Sequence, residues 1–331
     1  MNLRPLGTTG LSITPIGLGL AALGRPGYVN LGHAEDLNHN YDVTVMQGHT
    51  HEMLDVAWQA GIRYFDAARS YGRAEEFLGN WLRDREIRVG DVTVGSKWGY
   101  TYMAGWQVEA EHHEIKEHTL SVLQRQWAET QANLGDYVGL YQIHSATPES
   151  GVLTNHEVLY ELARLKSQGL KIGLTLSGPD QIETVRMAIT IRIDGLRLFD
   201  CVQATYNLLE TSVAPALQEA HAAGMGVIIK EALANGRLTP RNQDSEFADT
   251  MRQLIRQVNR LNTTLDGLAL AAVLHQSWVD VVLSGAATLE HLRANLKALE
   301  VQWDEEATSE LGKITEPPSI YWKRRKTLRW N

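Results

Sequence analysis

The sequence predicts a (β/α)8 TIM barrel carried by residues 1–331 as a single domain, with an N-terminal hairpin and an extra C-terminal segment. Three observations lead there. Eight apolar runs of strand length alternate with longer stretches of helical period almost from end to end. The runs are nearly continuous in apolar residues, the pattern of parallel strands covered on both faces. No Pro/Ser-rich linker or shift in composition divides the chain into halves, so closure into one barrel is more economical than a doubly wound sheet or two domains.

The elements follow in order. "LRPLGTTGLSI" places a turn signal, Thr9-Gly10, between two short runs and predicts a hairpin that plugs the N-terminal face of the barrel. The eight strands are expected at Pro15–Leu20, Arg63–Ala67, Val92–Trp98, Val138–His144, Lys171–Ser177, Cys201–Tyr206, Gly226–Glu231 and Val279–Gly285. Helical patterns cover His51–Ala60, Ala74–Arg83, His113–Leu134, His156–Gln168, Gln181–Ile189, Ser212–Ala223, Gly267–Ser277 and Leu289–Leu299. Gly24–Gly48 is the longest irregular segment, and a loop of that length is more often functional than idle. The basic tail "YWKRRKTLRW", Tyr321–Trp330, reads as a terminal charge run, which is usually solvated.

Composition narrows the function. With 44% apolar residues, no run of 18 uninterrupted apolar residues and no signal-peptide pattern, the chain is expected to be soluble, cytoplasmic and independent of membranes. A formal net charge of -8 argues against a general nucleic-acid binder. The single cysteine, Cys201, excludes an internal disulfide and a thiolate metal cage, and its place in an apolar run predicts an inert buried thiol.

Three motifs are decoys. "GLGLAA", Gly17–Ala22, satisfies a dinucleotide fingerprint, but Gly24, Pro26, Gly27 and Asn30 follow where a helix must start to meet the pyrophosphate. "HHEIKEH", His112–His118, misses zinc-ligand spacing, because His113 and His118 lie five apart; it reads as a solvated helix face, and no metal is expected. His49, His51 and Glu52 read as the cap region of the helix that follows, with a place at the barrel mouth as the alternative.

In a parallel barrel the active site gathers at the C-terminal ends of the strands, so polar residues there carry the argument. Strand two ends in Asp66, with Tyr71 in the loop after it; strand three carries Lys97; strand four ends in His144. Each alone has a structural reading, as cap, surface lysine, packing tyrosine or core histidine. Together they make a proton-transfer group. A phenol works as a general acid near neutrality only when a nearby cation stabilises its phenolate. Lys97 supplies that cation, Asp66 its counter-charge, and His144 a hydrogen bond that orients the substrate oxygen.

"GIRYFDAARSYG", "VGSKWG" and "YQIHS", in this order and spacing, resemble the aldo-keto reductase superfamily over nearly the whole chain, from "LGTTGLSITPIGLGLAALG" to "LSGAATLEHLRANL". The resemblance implies a catalytic tetrad of Asp66, Tyr71, Lys97 and His144 and a nicotinamide cofactor bound without a Rossmann fold. It places Gly19, Leu20 and Ala21, with Asp66, beside the nicotinamide, and Ser177 and Gln203 on its carboxamide, with Gly178 standing where an asparagine is usual. It puts Tyr206 near the nicotinamide face. It assigns Leu233, Ala234, Asn235 and Gly236 to the pyrophosphate loop, although the usual Ser-Pro-Leu is absent and Lys230 and Glu231 precede it. Gly285, Ala286, Ala287, His291 and Asn295 fall in the adenosine segment.

The implied activity is carbonyl–alcohol interconversion with NADPH as the expected cofactor and NADH as the alternative. A sugar dehydrogenase working oxidatively and a non-catalytic cofactor-sensing subunit on the same fold are the other readings, and the complete tetrad argues against the last. For a 2′-phosphate the sequence offers only Ala287, Thr288, His291 and Arg293 after strand eight, with the basic tail Tyr321–Trp330 as the other candidate. The small-molecule substrate, a carbonyl compound or sugar, is expected to meet Gly24–Gly48, Trp98–Trp106 and Ser145–Ser150, with Trp98, Tyr100, Tyr102 and Trp106 as aromatic walls. Oligomeric state is not specified by these patterns.

Overall fold

A computed structural model describes residues 1–331. Eight parallel strands close into a barrel: Ile16–Gly19, Tyr64–Asp66, Thr93–Trp98, Val138–Ala146, Lys171–Leu176, Cys201–Thr205, Gly226–Lys230 and Val281–Ser284, each paired with its sequence neighbours and the last with the first. Every expected strand is present. Their outward side chains, such as Phe65, Val94, Ile143 and Val202, are fully buried against the helices, which is why the strands read as continuous apolar runs.

The N-terminal hairpin pairs Arg4–Pro5 with Ser12–Ile13. Its Leu6 and Ile13 are fully buried with Tyr64, Leu140, Cys201 and Ile228, closing the barrel's N-terminal end as expected. Cys201 is buried there, and burial raises its thiol pKa well above the ordinary value. No helix is long and apolar enough to cross a membrane, and no group of His, Cys, Asp and Glu is arranged to hold a metal ion.

Three expectations need correction. The first barrel helix runs from Val43 to Gln59, so the irregular segment ends at Asp42, whose side chain caps the helix by accepting from the Thr44 and Val45 amides. His49, His51 and Glu52 therefore lie within the helix, not at its cap. The helix expected from His113 begins only at Leu120, capped by Thr119. Glu114–Lys116 instead forms a strand antiparallel to Tyr100–Tyr102, a hairpin standing over the barrel mouth. The basic tail is not a solvated run: Pro318–Thr327 is a helix whose Tyr321 and Trp322 are buried, and the residues after it return to the mouth. There Asn331 exchanges backbone hydrogen bonds of 3.0 and 3.2 Å with Tyr28, and Trp330 stacks on His113 at 4.1 Å.

Candidate active site

Register sets the acid of strand two. Asp66 lies abreast of Gly19 on strand one and Gly95 on strand three. A Cβ on Gly95 would come within 2.7 Å of the Tyr64 hydroxyl and 3.3 Å of the Asp66 carboxylate, so this position must be glycine for the carboxylate to lie inside the barrel. Asp66 is 1% exposed and fully partnered. Its Oδ1 pairs with the Lys97 ammonium, and its Oδ2 accepts from Tyr64 Oη at 3.0 Å, Gln203 Nε2 at 3.0 Å and Gln142 Nε2 at 3.3 Å. A buried charge is tolerable only when paired and hydrogen-bonded in this way. Lys97 Nζ also donates to the Ala67 carbonyl at 2.8 Å.

Tyr71 joins this pair from the loop after strand two. The Lys97 ammonium lies 4.8 Å from the centre of its ring, and the Arg25 guanidinium 5.2 Å. Gly72, at φ +59°, and Gly24 let two loops touch: a Cβ on Gly24 would fall 2.3 Å from the Tyr71 carbonyl. Behind the loop, the buried Glu75 collects Ser96 at 2.6 Å, Thr130 at 2.7 Å, Arg69 at 2.8 Å and Asn133 at 3.2 Å, tying it to strand three and the helix after it.

His144 stands edge-on to Tyr71, 5.5 Å between centroids, and to Tyr100 at 4.9 Å. The His118 ring N–H donates to the His144 carbonyl at 3.0 Å. Burial, then the charges of Lys97, Lys230 and Arg25, hold the His144 pKa well below its ordinary value, so its ring is neutral. Burial, then the Asp66 charge, raises the Tyr71 pKa well above that of a free phenol. The Lys97 cation is spent on Asp66, and Tyr71 is a protonated phenol at neutral pH.

The tetrad opens into a cavity of about 630 Å³ that reaches from Tyr71 and His144 to the segment after strand eight. A family model, described as the aldo/keto reductase family, matches residues 15–316. The chain belongs to the aldo/keto reductase family. It is 28% identical to a pyridoxal 4-dehydrogenase of Microbacterium luteolum, over 88% of this chain and 91% of that one. It is 26% identical to an L-galactose dehydrogenase of Arabidopsis thaliana, over 96% and 95%. The fold superposes on an aldo-keto reductase from Bacillus halodurans in its holo form with a TM-score of 0.72, at 21% identity over 95% and 96% of the two chains. The barrel and its oxidoreductase kinship are thus those of this family.

Within this aldo/keto reductase, most of the expected cofactor residues line the cavity: Gly19, Ala21, Asp66, Ser177, Gln203, Leu233, Asn235, Gly236, Gly285, Ala286, His291 and Asn295. Four do not. Leu20 and Ala234 are buried in the packing around the mouth, and Ala287 is buried with its carbonyl accepting from His49 at 2.6 Å. Tyr206 turns outward to the helix layer, edge-on to Trp278 at 5.0 Å, because it follows the inward-facing Thr205. Of the expected aromatic walls only Tyr100 faces the cavity; Trp98 packs on His118, and Trp106 donates to the Tyr41 carbonyl at 2.6 Å.

Sequence reasoning missed the charges around Tyr71. Lys230, at the end of strand seven, donates to Thr205 Oγ1 at 2.9 Å, and Glu231 takes the Arg325 guanidinium at 2.9 and 3.0 Å from Nε. Arg25 pairs with Glu114 and donates to the Ser70 carbonyl at 2.9 Å. Burial, with Arg325 and Lys97, pushes the Lys230 ammonium down to about 8. The signal available was Lys230-Glu231 closing an otherwise apolar strand, the same kind of signal that Asp66 gave.

Proposed function

We propose that residues 1–331 act as one nicotinamide-dependent oxidoreductase unit that interconverts a carbonyl and an alcohol, with Tyr71 as general acid and base. The observation that carries this reading is the meeting of Tyr71, His144 and the Lys97–Asp66 pair at the inner end of the cavity. The residues present fit a dinucleotide: Asn235 Oδ1 and Asn295 Oδ1 are buried acceptors without partners, and both side chains line the cavity beyond the tetrad. Ser177 and Gln203 would hold the carboxamide, and the Asn235–Gly236 turn would border the pyrophosphate, with the free Asn235 Oδ1 left for a ribose hydroxyl because a phosphate oxygen offers it no donor. When bound, the nicotinamide would exchange a hydride with the substrate carbon. Tyr71 hands its proton to the carbonyl oxygen in reduction and accepts it in oxidation. His144, neutral, holds that oxygen in line.

The raised pKa keeps Tyr71 protonated, the form from which the acid role starts, while the Arg25 charge, acting the other way, favours the phenolate left when the proton is given up. A second reading, oxidation of a sugar or another hydroxylated substrate, is favoured by the ionic collar of Arg25, Glu114, Lys230, Glu231 and Arg325, which offers donors and acceptors where an apolar aldehyde needs neither. Two relatives bear dehydrogenase names, for pyridoxal and L-galactose. Of the groups after strand eight expected to meet a 2′-phosphate, only His291 lines the cavity; Arg293 is exposed, the Thr288 hydroxyl caps its own helix, and the tail's Arg325 lines the cavity but is held by Glu231. The expected NADPH preference draws little support from them.

Tyr71→Phe tests the mechanism. Turnover of carbonyl substrates should fall by about 10² to 10⁴ while nucleotide binding, read by fluorescence quenching, stays the same. Retained turnover overturns the tyrosine's role.

A further inference from the structure

The far end of the cavity, beneath the helix that starts at Leu289, is walled by Arg241, Thr264, Asp266, Glu290, His291 and Asn295. Its one full cation is already engaged. Arg241 forms a two-pronged pair with Asp36, one prong at 2.9 Å, and also donates to the carbonyls of Leu31 and Gly32 at 3.0 and 2.8 Å. The Asp36 side chain is 1% exposed, and His291 Nδ1 lies 3.8 Å from it. Asp266 has no salt-bridge partner; it is 9% exposed at the start of the helix Leu265–Leu274. Burial raises its pKa, with a hydrogen bond from its own backbone amide, then His291 and Arg241, opposing and Glu290 adding to the effect. Counted as permanent formal charges, Asp36, Asp266 and Glu290 face one cation, Arg241.

Asn295 adds an independent sign that a ligand belongs here. It is fully buried; its Nδ2 donates to Ser284 Oγ at 2.8 Å, and its Oδ1 is left without a donor while the side chain lines the cavity. A purine's exocyclic amine, or a ribose hydroxyl, supplies such a donor. A phosphate monoester does not.

We infer that this end selects the dinucleotide whose adenosine ribose keeps a free 2′-hydroxyl, with Asp266 accepting from a ribose hydroxyl and the Asp36–Arg241 pair withholding the cation that a 2′-phosphate needs; the inference rests on the nicotinamide reading above. The physical basis is a difference of affinities. A carboxylate accepts well from a hydroxyl, whereas a dianionic phosphate beside the same low-solvent carboxylates is repelled. Selection of this kind weakens as salt rises, because the outer part of the field is screened.

The test uses the whole protein and equilibrium binding, so that it does not depend on turnover. Fragments isolate the adenosine end: 5′-AMP against 2′,5′-ADP, then NADH against NADPH, each titrated by calorimetry or fluorescence at low and high salt. The expected result is tighter binding of 5′-AMP and NADH by about tenfold or more at low salt, a gap that narrows at high salt. Asp266→Asn should narrow it by improving 2′,5′-ADP while 5′-AMP gains nothing, and Asp36→Asn, which frees Arg241, should narrow it further. If one variant fails to fold, the other carries the test. Equal or tighter binding of the 2′-phosphorylated partners by the wild type at low salt overturns the inference and leaves the nicotinamide reading standing. Failure to bind either dinucleotide overturns both.

Discussion

At the inner end of the cavity, around Tyr71, every carboxylate has a cation: Asp66 has Lys97, Glu114 has Arg25, and Glu231 has Arg325 with Lys230 as a second at 3.6 Å. At the far end, beneath the helix that starts at Leu289, the carboxylates outnumber the cations. The two ends also differ in what carries the charge. Asp66, Lys97 and Lys230 sit on barrel strands, whereas Asp36 ends the short helix His33–Asp36 after strand one, Arg241 comes from the loop after strand seven, and Asp266 and Glu290 from first turns of helices. On the function proposed above, the difference teaches that the Asp66–Lys97 pair behind Tyr71 is built into the sheet, where a change must disturb burial, while the far end of the cofactor would meet connections that can change with less structural penalty. Substitutions at the first end should cost stability and activity together; those at the second should move selectivity with stability nearly intact.

The largest effect expected is from Lys97→Met. It leaves Asp66 buried without its cation, at a cost of about 3–5 kcal/mol, and activity should fall with it. Urea unfolding measures the first and turnover the second. An equally stable, active variant would mean that the strand-borne pair is not what organises the site.

Arg325→Ala comes next. Burial pushes the Glu231 carboxyl up, but Arg325 and Lys230 outweigh it and bring it down to about 2. A depressed carboxyl stabilises the fold above its unfolded value near 4.5, and that stability is lost as pH falls from there towards 2. The variant should therefore be less stable at neutral pH by about 1–3 kcal/mol and show a flatter acid limb in a pH series of unfolding curves.

Asp36→Asn is expected to cost only about 1 kcal/mol, because Arg241 keeps two carbonyl acceptors and partial exposure to water. A loss as large as that of Lys97→Met would break the contrast between the two ends. The smallest effect belongs to Lys230→Met. With its ammonium pushed down to about 8 from 10.5, the folded protein holds fewer protons than the unfolded chain between those values, so stability rises with pH across that window. The variant should lose that rise, which unfolding curves at pH 8 and 10 would detect.

The eight strands were legible because both faces are covered and each run is apolar throughout; Asp66, Lys97 and His144 stood out because they interrupt or end such runs, and Tyr71 was singled out only by its place in the loop after strand two. What was not legible lies where period and polarity separate. In His113–Leu134 a polar strand and an amphipathic helix share one polar stretch, and only the pairing of Thr101 with Ile115 decides where one ends. The tail's basic residues look solvated in sequence, yet Arg324 and Arg325 find Glu316 and Glu231, carboxylates that only the fold brings near. Tyr206 was assigned to the cofactor by resemblance, but alternation along strand six sends Gln203 and Thr205 inward and the next residue out.

The plug at the closed end of the barrel has a practical consequence for watching the open end. Cys201 is the only thiol in the chain, and it is fully buried there, where a Cβ on Gly226 would lie 3.0 Å from its sulfur, leaving no room for a reagent. The native protein is therefore blank to maleimide dyes. A cysteine placed at the exposed Glu35, next to Asp36, would take a single label, and its emission would follow the loop over the adenosine end as a nucleotide arrives.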